Sequence, residues 1–303
     1  MRATATTRRS GCGGVDQTGP AVLMILGSCI SLQFGAALAV HLFPHVGALG
    51  ATTLRLAIAA LILLVVIRPD IRRWTRTEWT AVLAFGIAIG AMNAAFYSAI
   101  DRIPLGVAVS IEFAGPLILA AALSRSRADL AWVSLAVVGM GLLGVEGVLH
   151  ADGLDLVGVA FALLAGAFWA GYILTSSTAG RLVPGNDGLA VALVVSAMVV
   201  APLGASGAAA AFTDVRLLAF AAAVAVLASV IPYSLEFAAV RRLPKHVFGV
   251  LLSLEPIVAA VAGWLLLDQS LGAVRLGAIM LIVFASMGTT VTASRARRRT
   301  TAG

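Results

Sequence analysis

The sequence predicts an all-α polytopic membrane protein of ten transmembrane helices, arranged as two five-helix repeats of opposite orientation. Three observations carry this prediction. The composition is too apolar to face water, the apolar residues fall in blocks of bilayer length, and one loop-and-proline motif occurs in both halves. Of the 303 residues 60% are hydrophobic and 12% are charged, with a mean hydropathy of +1.02. Soluble domains carry about 25% charged residues, whereas a helix of about 20 apolar residues spans the hydrocarbon core of a bilayer.

Taken in chain order, residues 1–19 form a basic tail resembling the n-region of a signal peptide. The apolar stretch that follows, 20–42, is too long for a signal h-region and reads as a retained first helix. Pro44 separates it from the second span, 46–67, and Pro69 with a solvated basic loop (68–78) leads to the third, 79–100. Pro104 opens the fourth, 105–123, and Arg125 and Arg127 precede the fifth, 130–149. Asp152-Gly153 breaks the chain before the sixth, 154–176, and Pro184-Gly185 before the seventh, 189–208. The eighth, 216–239, is followed by Pro244, the ninth, 246–267, and the tenth, 271–292, ahead of a basic tail, 293–303. The two repeats cover 20–149 and 154–292, leaving no stretch for a soluble domain.

The net charge of +7 might suggest a nucleic-acid partner, but its placement argues for topology signals in short loops and tails. Arg102, Arg216 and Arg275 fall on one side of the predicted membrane, Arg55 lies inside a helix, and the other 17 of the 21 basic residues share the opposite side. That excess predicts both termini in the cytoplasm of an inner membrane. Asp101-Arg102-Ile103-Pro104 before the fourth helix matches Arg241-Arg242-Leu243-Pro244 before the ninth, and each is followed twelve positions later by a proline, Pro116 and Pro256. Five helices separate the two copies, so the second half inserts upside down. Inverted repeats of this kind place substrate near the midplane, between the halves.

Charged groups at bilayer depth cost roughly 2.5–3.5 kcal/mol each on insertion scales, so they face a cavity or a partner. Arg55, Glu112 and Glu255 sit near helix centres, Glu236 with Tyr233 lies nearer the cytoplasmic end of the eighth helix, and Gln33, Asn93 and Tyr97 add polar groups to the first and third. Pro116 and Pro256 follow the two central glutamates, and a helix proline frees a carbonyl one turn earlier. Carboxylates beside free carbonyls suit an ammonium group or a proton, and the Arg55 fork suits a carboxylate. Together they match the ends of an amino-acid zwitterion. The plainer alternative is a structural salt bridge between Arg55 and one glutamate, which still leaves a second carboxylate for a proton, a cation or a substrate. Glu112 and Glu255 are the candidates for proton coupling.

Other signals are structural. Gly139-x-Gly141-x-x-Gly144 lies in an apolar helix without a preceding strand and, like Gly86-x-x-x-Gly90, reads as close helix packing. His41, His45, His150 and His246 lie at helix ends without metal-ligand spacing, and Cys12 and Cys29 form neither a CxxC nor a plausible disulfide pair. Trp74, Trp79, Trp132 and Trp264 read as interfacial belt residues, with Trp169 deeper. No nucleophile–base pair or metal-ligand cluster for an intramembrane enzyme is present, and no cofactor or metal is expected.

Several segments carry a resemblance: Ser31-Leu32-Gln33-Phe34-Gly35-Ala36-Ala37, Leu42-Phe43-Pro44, Leu54-Arg55-Leu56, Met92-Asn93 with Tyr97, and Ile103-Pro104-Leu105-Gly106-Val107-Ala108-Val109 running into Ile111-Glu112-Phe113-Ala114-Gly115-Pro116-Leu117. In the second half they are Pro232-Tyr233-Ser234-Leu235-Glu236, Phe248-Gly249-Val250-Leu251 and Ser253-Leu254-Glu255-Pro256. The pattern resembles the drug/metabolite transporter superfamily with two EamA-type repeats, and within it the threonine/homoserine exporter group. The resemblance implies efflux of small amino acids driven by the proton gradient. It makes Gln33, Arg55, Asn93, Tyr97, Glu112, Tyr233, Glu236 and Glu255 candidate cavity residues. An aromatic share of 7% favours a compact polar substrate over the ligands of a broader metabolite or drug exporter. A non-transporting sensor or anchor is the alternative from another class. The expected partners are an amino acid, protons and the lipid bilayer, without nucleic acid, and homo-oligomerisation is left open.

Overall fold

The computed structural model describes residues 18–124, 127–149, 155–183, 185–240 and 251–301. Every regular element in them is helical: α1 (Thr18–Val40), α2 (Phe43–Ile67), α3 (Arg76–Ile100), α4 (Leu105–Glu112), α5 (Ala114–Ser124), α6 (Arg127–Leu149), α7 (Leu156–Leu182), α8 (Asp187–Ala210), α9 (Val215–Ala225), α10 (Ile231–Val240), α11 (Glu255–Leu267) and α12 (Ala273–Thr301). A 3₁₀ turn, Ala211–Thr213, follows α8, and a π-helical turn, Val226–Val230, joins α9 to α10. Among the described residues six helices are long and apolar enough to cross a membrane: Gly19–Val40, Phe43–Ile67, Arg76–Ile100, Leu156–Leu182, Asp187–Thr213 and Val215–Glu236. Four shorter apolar helices accompany them, at Leu105–Leu119, Leu130–Leu143, Glu255–Leu267 and Ala273–Gly288. Most of the N-terminal tail, Cys12, the Arg241-Arg242-Leu243-Pro244 copy of the repeated motif, His150, His246 and Phe248-Gly249-Val250 lie outside the described residues.

The burial pattern is that of a protein dissolved in lipid. Leu23, Leu61, Val66 and Met198 are about two-thirds exposed or more, whereas Arg55 and Glu255 are 2% and 4% exposed. Apolar side chains on the outside meet acyl chains without penalty, so polar groups collect where they find one another.

Several boundaries differ from those read in the sequence, each for a local reason. Helix α3 starts three residues early because Thr75 and Glu78 form a capping box, the Glu78 carboxylate accepting the Thr75 N–H at 2.6 Å. Helix α7 starts at Leu156 because Asp155 caps it, its Oδ1 accepting the N–H groups of Val157 at 2.7 Å and Gly158 at 3.2 Å. The Gly158 N–H and the Arg102 guanidinium hold the Asp155 carboxyl below its usual range. Deprotonated Asp155 is thus favoured in the folded state. That stabilisation is present above the unfolded aspartate pKa of about 3.9 and is lost as pH falls through the lower folded value. Helix α12 runs on to Thr301 rather than stopping at Thr292, since the Ala- and Arg-rich tail contains no breaker and basic residues suit a helix C-terminus. The fourth predicted helix is interrupted at Phe113, and α11 begins at Glu255 after a turn, so both interruptions lie just before Pro116 and Pro256.

Small residues set the packing, as expected where lipid offers no hydrophobic drive between helices. Helix α2 packs on α8, α3 on α7 and α8, α6 on α12, α1 on α10 and α11, and α4 on α7 and α11. At the α2–α8 crossing a Cβ on Gly50 would lie 3.0 Å from the Gly207 carbonyl carbon, and one on Gly204 would collide with the Leu49 carbonyl oxygen and the Thr53 hydroxyl. Gly86 and Gly90 do mark a close crossing, of α3 with α8. In the Gly139 motif, Gly139 packs on Ala278 and Ile282 of α12, while Gly141 faces open space.

Gly204→Val is therefore expected to overpack this crossing and destabilise by about 1–3 kcal/mol, lowering the thermal midpoint of the purified protein, whereas Gly141→Ala, in open space on a helix, does not lower it.

Candidate functional site

Seven of the eight residues singled out in the sequence (Gln33, Arg55, Asn93, Tyr97, Glu112, Tyr233 and Glu255) are at most 9% exposed. Glu236 is half-buried. They come from α1, α2, α3, α4, α10 and α11 and form two neighbouring groups.

The first group surrounds Arg55. Its Nη1 donates to the Ala228 carbonyl oxygen and the Ser229 hydroxyl, both at 2.9 Å, and its Nη2 donates to Asn93 Oδ1. The guanidinium carbon lies 4.6 Å from the centre of the Tyr97 ring, a cation–π arrangement. Asn93 is itself fixed, its amide donating to the Ile89 carbonyl at 2.8 Å and facing the Tyr233 hydroxyl at 3.5 Å. The Ala228 carbonyl is available for a covalent reason. In an α-helix its partner would be the N–H of residue 232, which is Pro232 and has none. The π-helical turn at Val226–Val230 accommodates that missing bond and turns the carbonyl toward α2.

The second group is acidic. Glu236 Oε1 accepts the Ser28 hydroxyl at 2.6 Å, and Glu255 Oε2 accepts the Gln33 amide at 3.4 Å. The Cys29 thiol, 4.0 Å from Glu255 Oε1, lies between these two carboxylates on α1. Glu112, at the end of α4, makes no side-chain hydrogen bond among the described residues but lies within electrostatic reach of Glu255 and Tyr233. Its backbone is held by α7: a Cβ on Gly166 would lie 2.5 Å from the Glu112 carbonyl oxygen, the carbonyl that Pro116 leaves free. Trp169, one turn further along α7, packs edge-on against Phe113 with centroids 4.6 Å apart.

The structure does not form the salt bridge considered between Arg55 and a glutamate. Among the described residues Arg55 pairs with no carboxylate, and the described ion pair is Arg102–Asp155 at the end of the bundle. A freed carbonyl, a hydroxyl and an amide already supply neutral acceptors, so the cation does not need a counter-ion. Four buried side-chain atoms in the described residues have no hydrogen-bond partner, and three belong to this site: Gln33 Oε1, Arg55 Nε and Tyr97 OH. Such atoms are rare in folded proteins, and three of the four lie together here. Among the described residues, a free donor on Arg55 and a free acceptor on Gln33 accompany a cation without a paired carboxylate and carboxylates without a paired cation. That arrangement suits a zwitterion.

Ser28, Ser229 and Gly166 were not singled out in the sequence, and Cys29 was weighed only as a disulfide partner. Single small residues in Ala-rich helices carry no signal alone; the signal for the Arg55 acceptor was Pro232, four positions after Ala228.

Comparison with known proteins shows the family. Residues 156–291 match the EamA-like transporter family. The threonine/homoserine exporter RhtA of Salmonella typhimurium is 43% identical over 274 residues, 90% of this chain and 92% of that protein. The threonine/homoserine exporter RhtA of Escherichia coli K12 is 42% identical over 273 residues, 89% and 91% of the two chains. A crystal structure 19% identical to this chain superposes with a TM-score of 0.60 over 91% of this chain and 98% of its own, a shared fold.

Asn93→Leu leaves Arg55 Nη2 unpaired in apolar surroundings, with an expected loss of about 1–3 kcal/mol. The thermal midpoint in detergent reads this loss, with Ser134→Ala on the exposed surface of α6 as the neutral comparison.

Proposed function

Because the chain belongs to the EamA-like transporter family, within the drug/metabolite transporter superfamily, we propose that it is a secondary transporter exporting small amino acids of the threonine and homoserine type, by proton antiport through the central polar site. The observation that carries this reading is the charge separation inside the bundle. Among the described residues Arg55 pairs with no carboxylate and Glu112, Glu236 and Glu255 pair with no cation, which supports a receptor for the two ends of a zwitterion. The substrate carboxylate binds at Arg55, where Nε is unpaired, and the ammonium sits among the glutamates and Gln33 Oε1. Three carboxylates around one ammonium leave negative charge in excess, which a proton neutralises when the substrate departs. Glu112 and Glu255 are the coupling residues in this scheme.

The same reading takes the fold as ten spans in two inverted repeats, 20–149 and 154–292, with both termini cytoplasmic in the inner membrane. The helix pairing supports it. A two-fold axis in the membrane plane would pair the second span with the seventh, the fourth with the ninth and the fifth with the tenth. It would also map the third-with-sixth contact onto eighth-with-first. The observed packing of α2 on α8, α4 on α11, α6 on α12, and of both α3 on α7 and α10 on α1, has this pattern.

The test is growth on inhibitory homoserine or threonine, with the extracellular amino acid quantified. Expression is expected to raise resistance and speed release, and Arg55→Ala to lower release at least tenfold at matched membrane levels, the ~1.4 kcal/mol equivalent of one lost charge-assisted contact. Glu112→Gln and Glu255→Gln are expected to retain substrate binding but to lose acceleration by an imposed proton gradient. Full proton-coupled transport by both variants eliminates the coupling scheme. Equal resistance of expressing and empty cells eliminates this substrate class.

A further inference from the structure

A cavity of about 400 Å³ opens at the end of the bundle where α2 begins and α3 ends, and it is lined by none of the eight central residues. Its polar wall is Ser98, Asp101, Arg102 and Ser206, and its floor is backbone around Gly47 and Gly50. Gly47, in its lining, turns the chain with φ +68°, a conformation that side chains disfavour. We propose that this cavity is a second, weak amino-acid site, a vestibule in which Asp101 receives the ammonium and Arg102 the carboxylate of a substrate on its way across.

Both charges are free to do so. The Asp101 carboxylate has no hydrogen bond or ion pair among the described residues, and Arg102 donates one bond, from Nη1 to Asp155 Oδ2 at 3.1 Å. A guanidinium carries five donors, so a second carboxylate can engage the remaining face of the fork. The Arg102–Asp155 pair is 44% and 36% exposed, and exposed pairs are weak, so a substrate carboxylate can displace Asp155. Asp155 tolerates displacement because its other oxygen, Oδ1, holds the α7 cap. The volume lies toward the low end of the range of about 300–1,000 Å³ for ligand pockets, room for a compact amino acid with some of its water. Only the assignment of this vestibule to the outer face rests on the topology proposed above; the binding chemistry does not.

The test uses Ser206→Cys in a Cys12→Ser background, Cys29 being buried, with a membrane-impermeant maleimide added to intact cells. Millimolar threonine is expected to slow labelling several-fold, while threoninol, which lacks the carboxylate, does not. The protection is expected to vanish when Asp101→Asn and Arg102→Gln are added, and to persist with Arg55→Ala. Labelling rates indifferent to threonine would overturn the proposal, as would equal protection by threoninol or protection that depends on Arg55. Absence of amino-acid export in the growth assay, with this protection intact, would remove the central-site reading and leave the vestibule standing.

Discussion

The interaction on which the rest of this structure depends is the burial of Arg55. Burying a guanidinium in an apolar bundle is costly unless its donors are met, and among the described residues Arg55 meets no carboxylate. The fold answers with neutral oxygens and an aromatic face. Satisfying Arg55 requires α2, the π-helical turn and α3 to meet at one point, because Ala228, Ser229, Asn93 and Tyr97 all contribute. It also requires α1 to lie close behind: a Cβ on Gly35 would stand 2.8 Å from the Ala228 backbone nitrogen. One buried cation thus fixes the relative placement of four helices.

Proline chemistry connects this core to the acidic group. Pro232 leaves the Ala228 carbonyl for Arg55, and Pro116 leaves the Glu112 carbonyl against Gly166. In each case a backbone oxygen that regular helix would consume becomes part of the site or its support. The prolines of the repeated motif stand at equal distances from their loops, but the carboxylates do not follow them. Glu112 lies four residues before Pro116, whereas Glu255 immediately precedes Pro256. The prolines thus repeat in the two halves while the carboxylates beside them do not.

Close packing and polar burial are complementary here. Glycines at the α2–α8 and α3–α8 crossings bring backbones together, and dispersion across those contacts holds a bundle whose exterior faces lipid. The cavity lies beside the α2–α8 crossing, with Gly50, Gly204 and Gly207 in its lining.

The sequence by itself determined the membrane class, the apolar helical segments, the prolines beside which the helices are interrupted, and most of the polar residues that gather inside. Each of these follows from local energetics: the cost of a charge or an unpaired amide in lipid is paid residue by residue and shows in composition and spacing. Asn93 and Tyr97 were visible because polar groups are scarce in such helices. The tertiary structure decided who partners whom. That Arg55 meets Ala228, Ser229 and Asn93 rather than a glutamate, that Ser28 and Gln33 serve the carboxylates, and that Asp101 and Arg102 edge a separate cavity depend on contacts between segments far apart in the chain. No periodicity records such contacts, because they arise from how helices cross, and crossing is set by the shapes of whole surfaces rather than by any one residue.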